Sequence, residues 1–227
     1  MGWDDWIRTV EVEPSVYAAD FARLGAQLET LLGAGARIFH FDVGDGHFVP
    51  PVTIGPVVLR SIAPLVHGAD GIFDCHLMVE APERHFEQIR AAGGDSVTVH
   101  YEACPRPMDV AVAARGLGLQ VGLAFNPETE PGEAAEAAIQ AGVDLLLCMS
   151  IHPGFSGQQF MPEAIERVRT LRGLVPDSMY VQVDGGIGLD NVRVLREAGA
   201  DLLVAGTAIF GHEDISGAYR RLVQAVT

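Results

Sequence analysis

Apolar, β-branched runs recur along the chain, and the stretches between them carry apolar positions three and four residues apart. The runs are 10–16 (VEVEPSV), 37–43 (RIFHFDV), 71–78 (GIFDCHLM), 96–102 (SVTVHYE), 119–125 (LQVGLAF), 143–150 (VDLLLCMS), 179–185 (MYVQVDG) and 201–206 (DLLVAG). Runs of this kind predict strands. The segments between them, such as DFARLGAQLETLLGAGA and PEAIERVRTLRGLV, have the spacing of helices that pack one face. A glycine-alanine punctuation precedes several runs (GAGAR, AAGGDS, QAGVDL, EAGADL). Glycine there closes a helix, and the residues after it launch a strand. Eight strands alternating with helices predict a closed (β/α)8 TIM barrel. An open doubly wound sheet needs a glycine-rich turn after its first strand, and PSVYAAD does not supply one. No linker interrupts the pattern. Residues 1–227 are therefore expected to form a single barrel domain, with a short N-terminal extension at about residues 1–8.

Composition narrows the function. The chain has 227 residues, 48% of them hydrophobic and 20% charged, which suits one barrel with a sizeable core. Its net charge of −15 argues against a nucleic-acid or anionic-membrane partner, and leaves room for a small anionic substrate. All 15 basic residues are arginine. Without lysine, Schiff-base aldolases and pyridoxal-phosphate enzymes are excluded. Cys75, Cys104 and Cys148 form no close pair, and Cys75 and Cys148 lie in apolar runs. A reducing compartment, the cytoplasm, is expected. The opening MGWDDWIRTV has acids where a signal peptide needs bases, and lacks the Ser or Thr of a myristoylation signal. No run of about 18 apolar residues appears, so no membrane span is expected.

In such a barrel the chemistry sits at the C-terminal ends of the strands. The second run ends in His40 and Asp42, which share one side of a strand because they lie two apart. The third carries His76, the fourth His100, the seventh ends in Asp184, and the first ends near Ser15. Taken singly, a strand histidine is an ordinary hydrogen-bonded core group. Met together, His40, Asp42, His76 and Asp184 point to a divalent-metal site suited to Zn, Fe, Mn or Co. His100 is either an interior polar group or a partner of a ligand. Asp45, in the turn DGHFVPP, is expected to shape its loop as a hydrogen-bond acceptor, and His85 and His212 to face solvent. Glycines end the sixth, seventh and eighth runs (HPGFSGQQF, VDGGIG, VAGTAIFG). Loops there form the usual phosphate corner of this fold, and backbone N–H groups can face an anion without lysine.

The segments PSVYAADFARL, HFDVGDGHFVPPVTIGP, DCHLMVEAPER, SIHPGFSGQQF, VDGGIGLDN and LVAGTAIFG run from about residue 10 to the end. Together they resemble the ribulose-phosphate 3-epimerase family. The resemblance implies four metal ligands, at His40, Asp42, His76 and Asp184, and a catalytic acid–base pair at Asp42 and Asp184. It implies substrate contacts at Ser15, His76, Ser156, Gly157, Gln158, Gln159, Gly185, Gly186, Gly206 and Thr207, with Met78 and Met149 over the substrate. The implied reaction inverts C3 of a phosphorylated 2-ketose, with D-ribulose 5-phosphate the expected substrate. A homo-oligomer is expected.

The chain departs from the family pattern at four positions. Gly44 stands where the family has Met, Gln182 where it has Glu, Ser156 where it has Gly and Thr207 where it has Ser. Glycine at 44 leaves one of two outcomes. Either another side chain, such as Phe155, fills the space, or a larger ketose phosphate enters. On the first, Gly44→Met leaves pentulose turnover unchanged or improved. The second favours a hexulose-6-phosphate (allulose 6-phosphate) 3-epimerase. A rival of another class, a non-catalytic sugar-phosphate sensor, calls for a broken acid–base pair, whereas both aspartates are present.

Overall fold

A computed structural model describes residues 2–227. Its strands are β1 (Glu11–Pro14), β2 (Ile38–Gly44), β3 (Ile72–Met78), β4 (Ser96–His100), β5 (Gln120–Phe125), β6 (Leu145–Met149), β7 (Tyr180–Asp184) and β8 (Leu202–Ala205). The helices are α1 (Trp3–Trp6), α2 (Leu24–Ala34), α3 (Pro56–His67), α4 (Phe86–Ala92), α5 (Pro107–Gly116), α6 (Pro131–Ala141), α7 (Ala164–Leu174), α8 (Val192–Ala198), α9 (Thr207–Phe210) and α10 (Ile215–Val226). The strands pair in parallel in the order β1-β8-β7-β6-β5-β4-β3-β2, and a parallel bridge from Ser15 to His40 closes the ring. This is the (β/α)8 barrel that the alternation predicts. Each expected run carries a strand, and β2 extends one residue further, to Gly44.

The repeated punctuation has a physical purpose. α2, α4, α6 and α8 end at Gly35, Gly93, Gly142 and Gly199, each in the left-handed region that only glycine enters cheaply. After three of these caps an aspartate enters the next strand. Asp95, Asp144 and Asp201 accept the backbone N–H of Phe73, Val121 and Val181 at 2.9, 3.2 and 2.8 Å. Each thereby pins its strand to the one before.

Outward side chains such as Phe39, Phe41, Phe73, Cys75 and Leu77 are fully buried under the helices. All three cysteines are buried and free. Inside the ring, α1 covers the N-terminal ends of the strands. Trp3 and Trp6 pack edge to face, 5.1 Å apart, in a cluster with Ile38, Leu145, Leu147 and Leu202. The Tyr180 hydroxyl donates to Asp4 at 2.7 Å. The extension thus docks on its own barrel. No helix of the described residues is long and apolar enough to cross a membrane.

Candidate active site

Strand register assembles the site. His40 and Asp42 project from β2 into the barrel, and β3 pairs His76 opposite Asp42. Asp184 reaches in from β7. Asp42 Oδ1 lies 3.3 Å from His40 Nε2 and 3.3 Å from His76 Nδ1. Asp184 Oδ2 lies 4.0 and 3.7 Å from the same two nitrogens. Both imidazoles have no exposure, whereas the Asp184 side chain is 16% exposed and faces the mouth. The Ser15 hydroxyl donates to Asp42 Oδ2 at 2.7 Å.

These residues fit a divalent cation. Their four donor atoms lie within 4.8 Å of one another. Ligands about 2.0–2.2 Å from a tetrahedral ion stand roughly 3.3–3.6 Å apart, close to the spacing seen here. His40 Nε2 is buried and has no hydrogen-bond partner, an orphan that a cation would satisfy. Two imidazoles with two carboxylates do not choose among Zn, Fe, Mn and Co.

Electrostatics separates the two carboxylates. Burial opposes charge on Asp42, but His40 and His76 outweigh it and hold the group well below the ordinary range. Burial and the neighbouring Asp42 charge push Asp184 the other way, upward. One carboxylate is biased towards its ionised form and its neighbour towards its protonated form.

Buried partners fix both rings. His40 Nδ1 lies 3.0 Å from Asp74 Oδ2 and 3.7 Å from Glu13 Oε2. The Gln182 amide donates to Glu13 Oε2 at 2.6 Å and to Asp74 Oδ2 at 2.8 Å, and Ser96 donates to Asp74 Oδ1 at 2.7 Å. Glu13, His40 and Asp74 are also close enough to hold an ion. The amide donor shared between the two carboxylates makes them a hydrogen-bond network instead. Burial pushes Glu13 up to about 7. On the other ring, His76 Nε2 lies 2.8 Å from His100 Nε2, and His100 Nδ1 lies 3.4 Å from Glu102 Oε2. Glu13, Asp74 and Glu102 are not among the residues expected from the sequence.

The mouth cavity is lined by Ser15, Met78, Met149, Ser156, Gly157, Gly185, Gly186, Gly206 and Thr207, together with Asp42 and Asp184. Tyr17 and Ile151, not singled out from the sequence, line it too. His76 lies beneath, fully buried. Gln158 and Gln159 are not part of the lining. Gln158 donates to the carbonyls of His152 and Phe155 at 2.7 and 2.9 Å, tying its own loop together. Gly185 has a packing reason besides any ligand: a Cβ there would stand 2.4 Å from Ile151 Cγ1. Asp45 shapes its loop, accepting the N–H groups of His47, Phe48 and Glu80, each at 2.8 Å. His212 is exposed and His85 half-buried.

At Gly44 the space is filled, though not by Phe155, which is 55% exposed at the mouth. A Cβ at Gly44 would stand 2.9 Å from the Pro51 carbonyl and from Val49, and 3.0 Å from Thr53. Thr53 holds this loop down by accepting the Gly44 N–H at 2.6 Å and donating to the Asp42 carbonyl at 2.9 Å.

Fold and site together define a (β/α)8-barrel enzyme. The chain belongs to the ribulose-phosphate 3-epimerase family, a family of isomerases, which it matches over residues 11–210. It is 36% identical to the ribulose-phosphate 3-epimerase of Bacillus subtilis over 209 residues, 90% of this chain and 94% of that one. It is 39% identical to the Escherichia coli K12 enzyme of the same name over 206 residues, 89% and 90% of the two chains. Among solved structures, 3-hexulose-6-phosphate synthase from Salmonella typhimurium superposes with a TM-score of 0.71 at 16% identity, covering 95% of this chain and 98% of that one. Orotidine 5'-phosphate decarboxylase from Pyrococcus horikoshii gives 0.68 at 14% identity, covering 95% and 98%. At these identities the likeness is one of fold.

Proposed function

We propose that this protein is a divalent-metal-dependent epimerase that interconverts D-ribulose 5-phosphate and D-xylulose 5-phosphate, with Asp42 and Asp184 as its proton carriers. The observation that carries this reading is the placement of two carboxylates at one barrel mouth, on strands three steps apart around the ring, in surroundings that bias them in opposite directions. Inversion needs an empty base on one face of the substrate and a loaded acid on the other. Asp42, ionised and anchored by Ser15, takes the C3 proton, which the adjacent carbonyl makes acidic. Asp184, biased towards its protonated form, delivers a proton to the opposite face of the planar enediolate. The roles exchange in the reverse direction. β2 and β7 stand three steps apart around the ring, so the two groups approach from different sides.

His40, Asp42, His76 and Asp184 would hold the ion, which supplies Lewis-acid stabilisation of charge developing on the ketose oxygens. Ser156, Gly157, Gly185, Gly186, Gly206 and Thr207 form the phosphate end of the cavity, and Met78 and Met149 an apolar wall. The filled space at Gly44 favours the pentulose over the hexulose phosphate. The test is an epimerisation assay over a panel of 2-ketose phosphates, before and after chelation, with Zn, Mn, Fe or Co restored. Activity on ribulose 5-phosphate that falls on chelation and returns with metal is expected. A higher kcat/KM for allulose 6-phosphate, or activity indifferent to thorough chelation, overturns the reading.

A further inference from the structure

His76 and His100 face each other through their Nε2 atoms, 2.8 Å apart, with both rings fully buried. Two donors cannot face each other, and two bare nitrogens at 2.8 Å repel, so the proton position on one neutral ring fixes the other. In one arrangement His76 carries its proton on Nε2 and His100 on Nδ1. A bare Nδ1 of His76 then faces Asp42 and Asp184. In the other, His76 Nδ1 carries a proton aimed at the cation site, and His100 Nδ1 is bare. Only the first leaves His76 able to bind a cation.

A carboxylate stands at each end of the pair. Asp42 Oδ1 is 3.3 Å from His76 Nδ1, and Glu102 Oε2 is 3.4 Å from His100 Nδ1. The two oxygens of Glu102 are divided in their use. Oε1 accepts the Asn126 N–H at 2.8 Å and the Thr129 hydroxyl. Oε2 faces His100 Nδ1, a buried atom with no aligned hydrogen-bond partner among the described residues, and the His100 ring is held by Phe48 at 4.7 Å between centroids. Neither His100 nor Glu102 lines the mouth cavity, and the contact of His100 with the cation-site residues is the one to His76.

We propose that Glu102 is a positioning residue: through His100 it sets the tautomer of His76, so that Nδ1 is bare and ready for a divalent cation. The inference rests on the metal reading above. It predicts an unusual ranking of substitutions. Glu102→Gln keeps the shape, but the Asn126 N–H and the Thr129 hydroxyl still require the oxygen. The amide nitrogen therefore turns to His100 and drives the wrong arrangement. Glu102→Ala removes the acceptor without adding a donor, and water can take its place because the Glu102 side chain is 24% exposed.

Zn2+ affinity, measured by chelator competition, is expected to fall about 10–100-fold in Glu102→Gln, the range usual for losing a partner of a ligand. It falls less in Glu102→Ala. Imidazole 15N spectra of the metal-free protein, in which Asp42 competes for a proton on His76 Nδ1 at 3.3 Å, are expected to show a larger share of His76 protonated on Nδ1 in Glu102→Gln than in wild type. A Gln variant that binds within about twofold of wild type, or no worse than the Ala variant, overturns the proposal, as do unchanged ring tautomers. Should Glu102→Gln not fold, the Ala variant's spectra decide: a shift towards Nδ1 supports the proposal and a wild-type pattern overturns it. A wild-type protein that binds no divalent ion instead overturns the metal reading. The ring spectra alone then decide whether Glu102 governs His76.

Discussion

The two sides of the barrel interior are built on opposite rules. Above the Trp3–Trp6 floor, which Ile38 of β2 also joins, β5, β6 and β8 line it with Ala124, Leu145, Leu147 and Leu202. β1 to β4 and β7 line it with Glu13, His40, Asp74, Ser96, Thr98, His100 and Gln182, all without exposure. The first side gains from the removal of apolar surface from water. The second loses hydration at every group and is sustained by the hydrogen bonds that tie its members together. The contrast teaches a division of labour: the apolar side holds the barrel, and the polar side aims the site. Damage to each should therefore read out differently.

The largest effect is expected at the top of the polar side. Asp42→Asn and Asp184→Asn should each lower turnover by about 10²–10⁴-fold, the range for losing a positioned acid or base. Both variants should stay folded, because neither change removes apolar contact. The remaining aspartate can still exchange the C3 proton of one epimer with deuterated water while net inversion stops. Near-wild-type turnover in either variant would break the two-carboxylate mechanism.

On the apolar side the expected loss is stability. Trp3 is 2% exposed and packs against Trp6 within the barrel floor. Trp3→Ala should cost about 3–5 kcal/mol, as buried aromatics do, with turnover per folded molecule retained. Urea unfolding measures it. A cost below about 1 kcal/mol would show that α1 is not what closes the floor.

Acidity gives a finer contrast within the polar side. Burial raises Glu13 from 4.5 to about 7. The native state then keeps a proton that the unfolded chain has already released. That contribution is complete below pH 4.5 and lost as pH rises through about 7. Glu13→Gln cannot lose it. For the metal-free proteins, the variant's stability relative to wild type should grow by roughly 3 kcal/mol between about pH 4.5 and pH 8. Asp184, also raised, is common to both proteins and cancels. A stability gap that does not change with pH would mean that Glu13 is not protonated in the native barrel.

The fold was legible because a barrel repeats its grammar: apolar run, helix, glycine cap. The residues clustered at the mouth were legible by parity, since His40 and Asp42 lie two apart on an inward face. The same parity reaches Glu13 from Ser15, Asp74 from His76 and Gln182 from Asp184. An acid inside an apolar strand was signal enough for the first two. Glu102 also lies two from His100, but β4 ends at His100 and the chain turns over Tyr101–Ala103, where parity no longer reports direction. Tyr17 reaches the mouth from the short turn after β1, where periodicity no longer reports direction. Gln158 shows the converse: a polar residue in a promising loop, spent on the loop's own carbonyls.

Gly44, at the rim of the polar side, carries the smallest expected effect and the sharpest revision. Sequence alone suggests an empty space that methionine could fill without harm. The structure puts the Pro51 carbonyl and Val49 within 2.9 Å of any Cβ at that point. The loop over residues 45–53 has folded into the space and is bonded there, at both faces of Thr53. Gly44→Ala should then cost about 1–3 kcal/mol by overpacking, and Gly44→Met no less. Because Thr53 also holds the Asp42 carbonyl, lifting this loop should disturb the base, and kcat should fall alongside stability. A Gly44→Met variant as stable and as active as wild type would show that the loop yields freely, and would return the space beside Asp42 to the substrate.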